Sequence, residues 1–292
     1  MDSLTAKVSC FARAYHYRHN TTRIFSDTAA ERLLGSDYDQ IARSMSQGAG
    51  FFLPGFQGSA EEGLRLIMDG QLSPSVLGRS AFCEAALERE KRLGCRQYVL
   101  FASGYDTFAI RNEDASLSVF ELDLPEALAV KKARINRAGL KSGAVYVPCD
   151  LSGEQWKDGL AESGFRREEL SFASLLGISY YLSRDEFKNL LAGLGGVLRG
   201  GSNICFDYPS EDGGREALVN RALAQGAGER MKARYAAGEL ENLLEACGFL
   251  TREHLDHGAM TGRFFSEYNE CNPAHRMEAP QGVGYVLAVR KP

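Results

Sequence analysis

The chain has no long apolar run. Nowhere do the ~18 consecutive apolar residues needed to cross a bilayer occur, and residues 1–20 hold no continuous apolar region of the signal-peptide kind. A membrane partner is therefore not expected. An excess of positive charge is also missing: 34 Lys and Arg face 38 Asp and Glu, for a net charge of −4. The basic residues are dispersed rather than clustered, so there is no footprint for nucleic acid. The seven cysteines form no C-x-x-C pair and are odd in number, which argues against a disulfide framework and reads as reduced thiols in a cytoplasm. Histidines number five. His254 and His257 stand at i, i+3 but lack a third ligand, so no metal site is expected. Internal repeats and low-complexity tracts are absent, which sets aside solenoids and propellers.

What remains is 292 residues, 44% hydrophobic and 25% charged, enough for a substantial core in one structural unit. The informative stretch runs from Gln97 to Pro125. Tyr98, Val99, Leu100 and Phe101 form a strand-forming block that ends in the small residues Ala102, Ser103 and Gly104. A second apolar run, Leu117 to Leu122, carries Glu121 and Asp123 at its end. In α/β nucleotide folds, small residues after the first strand let a ligand approach the backbone, and an acidic residue roughly twenty positions on takes ribose hydroxyls. The residues alone allow that reading or two core strands joined by a loop that binds nothing. G-x-G-x-x-G is missing, which disfavours a nicotinamide dehydrogenase.

The string ASGYDTFAIR followed by FELDLPEALAVK closely resembles the LGAGxDTxxxR and FExDxPxxxxxK motifs of the leucine carboxyl methyltransferase family. Its members are class I O-methyltransferases that use S-adenosylmethionine, bacterial polyketide carboxyl methyltransferases among them. Further along, RIFSDTAAERLL (Arg23–Leu34) is similar to the family's R-x-F-x-D-P-x-A-x-x-L, with Thr28 where proline is usual. The resemblance implies a Rossmann-like α/β fold with a seven-stranded, mostly parallel sheet, an antiparallel C-terminal strand and a helical N-terminal cap. It divides the chain into a cap over residues 1–94 and a cofactor-binding core over 95–292.

It also implies a site. Arg79, on an expected helix Leu77–Arg92, would grip the methionine carboxylate of the cofactor. Ala102, Ser103, Gly104 and Asp106 would form the turn against it, with Ala102 where the family has its first glycine. Glu121 and Asp123 would serve the ribose, and Asp150 and Leu151 the adenine. Gly177, Tyr181 and Leu182 match the loop W-x-x-E-G-x-x-x-Y-L, and Leu176 stands where the family has the glutamate that contacts the cofactor. Tyr181 and Tyr208, at the ends of the fourth and fifth strands, are the candidates facing the acceptor, with Arg13, Tyr15 and Tyr17 as anion and ring contacts from the cap. The apolar loop Gly50–Ser59 reads as a packed connection or a lid.

The other expected elements are a helix from Pro125 to about Gly139, strands near 144–151, 170–182, 202–209 and 284–289, and helices at 186–198, at 214–225 and over Glu239–Phe249. The implied activity is methyl transfer to oxygen, with a carboxylate of a small molecule or peptide as acceptor. A hydroxyl acceptor, or a degenerate cofactor-binding or regulatory protein, are the alternatives, the latter motivated by Leu176 and Ala102.

Overall fold

The computed structural model describes residues 3–211 and 231–292; the expected helix at 214–225 lies outside them. Seven strands, β1 (Gln97–Phe101), β2 (Ser118–Asp123), β3 (Ala144–Pro148), β4 (Ser171–Leu175), β5 (Asn203–Pro209), β6 (Phe249–Leu255) and β7 (Val283–Arg290), form one sheet in the order β3-β2-β1-β4-β5-β7-β6. β1 to β5 pair in parallel, and β7 is antiparallel to both of its neighbours.

Strands β1, β4 and β5 are buried along their whole length because both faces are covered, and so they read as continuous apolar runs. Alternate residues serve opposite cores. Val99, Phe101, Ala173, Leu175, Ile204 and Phe206 meet Trp156, Phe187 and Leu240 on one face. Tyr98, Leu100, Phe172, Cys205 and Leu287 meet Leu77, Phe82, Ala86 and Met260 on the other. Local signals fix the helix ends: Pro125 opens Pro125–Arg137, and Ser183 with Glu186 forms a reciprocal capping box on Arg184–Val197.

β6 and the two helices after it, His257–Phe264 and Ser266–Cys271, have no counterpart in the element-by-element sequence reading. β6 is an edge strand of sequence FLTREHL with one fully buried residue, Phe249. Its charged, partly exposed face suits an edge that must not pair further, and it hides the strand from a search for apolar runs.

Residues 3–94 are helical apart from their connections, and their longest helices are Leu4–His19 and Ser73–Arg92. A third core joins this segment: Phe11, Tyr15, Leu34, Tyr38, Ile41, Leu64 and Met68 close on one another, on Tyr105 of the loop after β1 and on Ile135. One carboxylate ties the segment to the sheet. Asp27, 1% exposed, accepts from Arg13 Nε at 2.8 Å and from the Thr107 hydroxyl at 2.7 Å on Oδ2. On Oδ1 it accepts the backbone N–H groups of Ala29 and Ala30 at 3.1 and 3.0 Å, and Arg111 Nε lies 3.5 Å away. Asp27 thereby satisfies the free N–H groups at the start of the helix Ala30–Leu34. Burial alone would raise its carboxyl, but Arg13, Arg111 and the hydrogen bonds hold it below the ordinary carboxylate value.

Asp27→Asn keeps the shape and leaves the buried Arg13 guanidinium without its carboxylate, so it should lower unfolding stability by about 3–5 kcal/mol. Because the folded carboxyl is depressed, its contribution is complete above the unfolded value and is lost as pH falls toward the folded one. Urea unfolding should therefore show a wild-type advantage that is flat from pH 7 to about 5 and shrinks below about 4.

Candidate active site

A cavity of about 480 Å³ opens above the C-terminal ends of β1 and β4, where parallel α/β sheets place their ligands. The first helix roofs it with Leu4, Ala6 and Ser9. Met45, Phe52, Gln71 and Leu72 close one side, and the floor is Ala102–Asp106, Asp123, Leu176, Gly177 and Tyr181.

The turn after β1 is unusual in its backbone. Ala102 has φ 51°, the one positive value found among the described residues other than glycine. That conformation costs a residue with a Cβ roughly 1 kcal/mol or more, which is the physical reason for the family's glycine there. Gly104 follows at φ 44°, and a Cβ on it would stand 3.3 Å from Ala6 Cβ, so the roof helix rests on this turn. Asp106 Oδ1 accepts the N–H of Phe108 at 2.7 Å. The next residues, Thr107 and Arg111, turn away from the cavity: Thr107 bonds Asp27, and the Arg111 guanidinium pairs with Glu84.

Asp123 ends β2 and reaches the cavity. Its Oδ2 accepts Gly104 N–H at 2.7 Å and its Oδ1 accepts Leu124 N–H at 2.8 Å, leaving lone pairs for a diol. Burial pushes its carboxyl above the ordinary value against the pull of these two donors. Glu121 shares its face of β2 but lies one pleat deeper. It is fully buried, bonded by Lys131 Nζ at 2.6 Å, and outside the lining. Burial raises its carboxyl in spite of Lys131, so Glu121 holds the helix Pro125–Arg137 to the sheet.

Arg79 lines the cavity. Nη1 lies 3.4 Å from Asp207 Oδ2 and Nη2 3.4 Å from Ser9 Oγ; both contacts are long, so the fork keeps capacity for an added anion. Gly177, at φ 70°, passes beneath it, and a Cβ there would meet Nη1 at 2.8 Å. Arg13 differs: its Nε to Asp27 and its Nη2 to the Tyr105 carbonyl, at 2.8 and 2.7 Å, are committed bonds in the interior. Tyr15 stacks on His19 and Tyr17 lies under Arg23. None of these three cap residues lines the cavity.

Tyr181 lines it, whereas Tyr208 does not. On β5 the pleat sends Asp207 and Tyr208 to opposite faces, and the Tyr208 hydroxyl meets His254 Nε2 at 2.7 Å. Asp150 and Leu151 also stand outside the lining. They follow β3, two strands or about 10 Å across the sheet from β1; Asp150 is exposed and accepts Ser152 N–H at 2.8 Å. Sequence reasoning gave no role to the roof residues Leu4, Ala6 and Ser9, which carry no motif, or to the buried hub Asp207.

A seven-stranded sheet of this order with one reversed strand, and a cavity over its switch point floored by a tight turn and a strand-end carboxylate, defines a class I methyltransferase. The comparisons agree. A Thermobifida fusca protein solved as a methyltransferase superposes with a TM-score of 0.57 at 13% identity, covering 100% of this chain and 96% of that one. A DUF574 family protein from Streptomyces avermitilis gives 0.57 at 12% identity, covering 100% and 98%. Among sequence relatives, YktD of Bacillus subtilis, named as an S-adenosyl-L-methionine-dependent methyltransferase, is 36% identical over 306 aligned positions, covering 99% of this chain and 98% of the relative. FRAAL3836 of Frankia alni, similarly named, is 34% identical over 136 residues, about half of each chain. The leucine carboxyl methyltransferase family model matches residues 6–195. The chain belongs to that family; it is a methyltransferase whose methyl donor is S-adenosylmethionine.

Gly177→Ala puts a Cβ at positive φ and against the guanidinium. It should cost about 1–2 kcal/mol of stability and weaken binding of S-adenosylhomocysteine, read by thermal melting and calorimetric titration together.

Proposed function

We propose that the methyl group is transferred to an oxygen, that of a carboxylate on a small molecule or peptide. The observation that carries this reading is the cavity lining, which among the described residues contains no histidine, lysine or cysteine. A hydroxyl acceptor must give up a proton as it attacks, usually to a positioned base. A carboxylate is already ionised at neutral pH and needs none. The two carboxylates of the lining, Asp106 and Asp123, each accept backbone N–H bonds and serve in this reading to hold and orient.

The residues present fit the donor. Arg79 offers a planar fork to its carboxylate, Asp123 offers acceptors to the ribose hydroxyls, and Gly104 and Gly177 let the backbone approach closely. Asp150 and Leu151 would contact the adenine at the rim. Once bound, the donor supplies an electrophilic methyl group on a sulfonium. This chain's part is aim and dryness: residues 3–94 act as the cap, and Leu4, Met45, Phe52, Leu72 and Met231 keep water from the path. Attack by a carboxylate on a sulfonium neutralises both charges, so a mostly apolar lining favours the transition state over the separated ions. Tyr181 is the hydroxyl placed to orient the acceptor.

Asp123→Ala should leave the fold intact and weaken S-adenosylhomocysteine binding at least about tenfold by calorimetry, the worth of a charge-assisted hydrogen bond. Turnover of a carboxylic acid acceptor should be independent of pH between about 6 and 9. A rate that climbs through that range and loses the climb in Tyr181→Phe would overturn the carboxylate reading in favour of a hydroxyl acceptor.

A further inference from the structure

Asp207 is fully buried on β5, and the strand gives it no ion-pair partner from the sheet itself. The bonds of its carboxylate go to three residues of the cavity wall, Gly177, Tyr180 and Arg79. Oδ1 accepts the Gly177 N–H at 2.7 Å, Oδ2 accepts the Tyr180 hydroxyl at 2.9 Å, and Arg79 Nη1 approaches Oδ2 at 3.4 Å. Its main-chain carbonyl accepts the Ser179 hydroxyl at 2.7 Å. The β4–β5 register explains the convergence: Leu175 pairs with Phe206, so the chain leaving β4 passes directly beside Asp207, and Gly177 turns its N–H back onto the carboxylate. The next site residue along the floor, Leu176, is apolar and brings no charge of its own.

Asp207 is absent from the cavity lining, so it cannot touch a bound molecule. Arg79, which does line the cavity, is slung between this carboxylate on the sheet and Ser9 on the roof helix. A long arginine on a helix would otherwise have many rotamers, and a fork recognises a carboxylate only when its plane is fixed. A carboxylate with no access to solvent, fixed in rotation by a backbone N–H and a phenol, is a rigid reference for that plane.

We propose that Asp207 is a positioning residue for cofactor binding, orienting the Arg79 guanidinium and the Gly177 turn toward the methionine carboxylate of the donor. The proposal rests on the reading that Arg79 receives that carboxylate. The two ideas separate in one experiment, because 5′-methylthioadenosine carries the adenosine and sulfur of S-adenosylhomocysteine but no amino-acid carboxylate.

Calorimetric titration with both ligands is the test. Asp207→Asn should weaken S-adenosylhomocysteine on the order of tenfold and leave 5′-methylthioadenosine within about twofold. Arg79→Ala should show the same selectivity. If Arg79→Ala does not discriminate between the ligands, the reading of Arg79 fails and the proposal with it. If Arg79→Ala discriminates but Asp207→Asn binds S-adenosylhomocysteine like wild type, or loses both ligands equally, Asp207 is structural only and the proposal is overturned. Tyr180→Phe covers the case in which Asp207→Asn does not fold: it keeps the buried charge but frees its rotation, and should give a selective loss of about threefold. An equal effect on both ligands in that variant counts against the proposal in the same way.

Discussion

One buried carboxylate sets the terms for the rest of the molecule. Asp27 has no water to fall back on, so its bonds to Arg13, Thr107 and Arg111 and to the first turn of the Ala30–Leu34 helix must all form together. Arg13 comes from the first helix, and Thr107 and Arg111 from the segment after β1. The roof and floor of the cavity are thereby fixed against each other just after the positive-φ turn at Ala102 and Gly104. Several letters of the sequence motif that marks the family, the Thr and Arg of DTFAIR and the Asp of RIFSD, do this joining work and do not face the cavity.

The same economy of charge divides the arginines. Arg13 is spent on the interior with short bonds, whereas Arg79 is held loosely at two points and faces the cavity. Both are arginines in the helical N-terminal segment. What separates them is the length and number of their existing bonds, which no sequence position reveals.

Much of this was legible beforehand, for physical reasons that differ by element. β1, β2, β4 and β5 are covered on both faces and so announce themselves as apolar runs. Asp123 was found by its spacing from a small-residue turn, because spacing along two adjacent parallel strands is a distance in space. Helix ends at Pro125 and Ser183 were written in capping chemistry. Reading failed where the answer depended on the pleat: Glu121, two residues from Asp123, is sealed beneath it, and Tyr208, next to Asp207, faces the opposite core. β6 was unreadable as a strand because an edge carries charge where a central strand carries leucine. Asp150 and Leu151 follow β3 outside the cavity lining, and their contact with the adenine belongs to the proposed function. Asp207 could be placed at the edge of the sheet that carries the site, as part of a strand end, but its bonds to Gly177, Tyr180 and Arg79 could not be read, since a single aspartate at the end of a strand has many ordinary explanations.

The reversed strand has a consequence for how the chain is made. β7 lies between β5 and β6 in space but follows both in sequence. Until residues 283–290 have left the ribosome, β5 presents an unpaired edge of buried residues and β6 has no partner at all. The nascent protein thus carries a sticky sheet edge through the synthesis of some seventy residues after β5, roughly 4–15 s at ordinary elongation rates. An unpaired edge of buried residues is the kind of surface that aggregates, so the hazard belongs to synthesis and ends when β7 pairs.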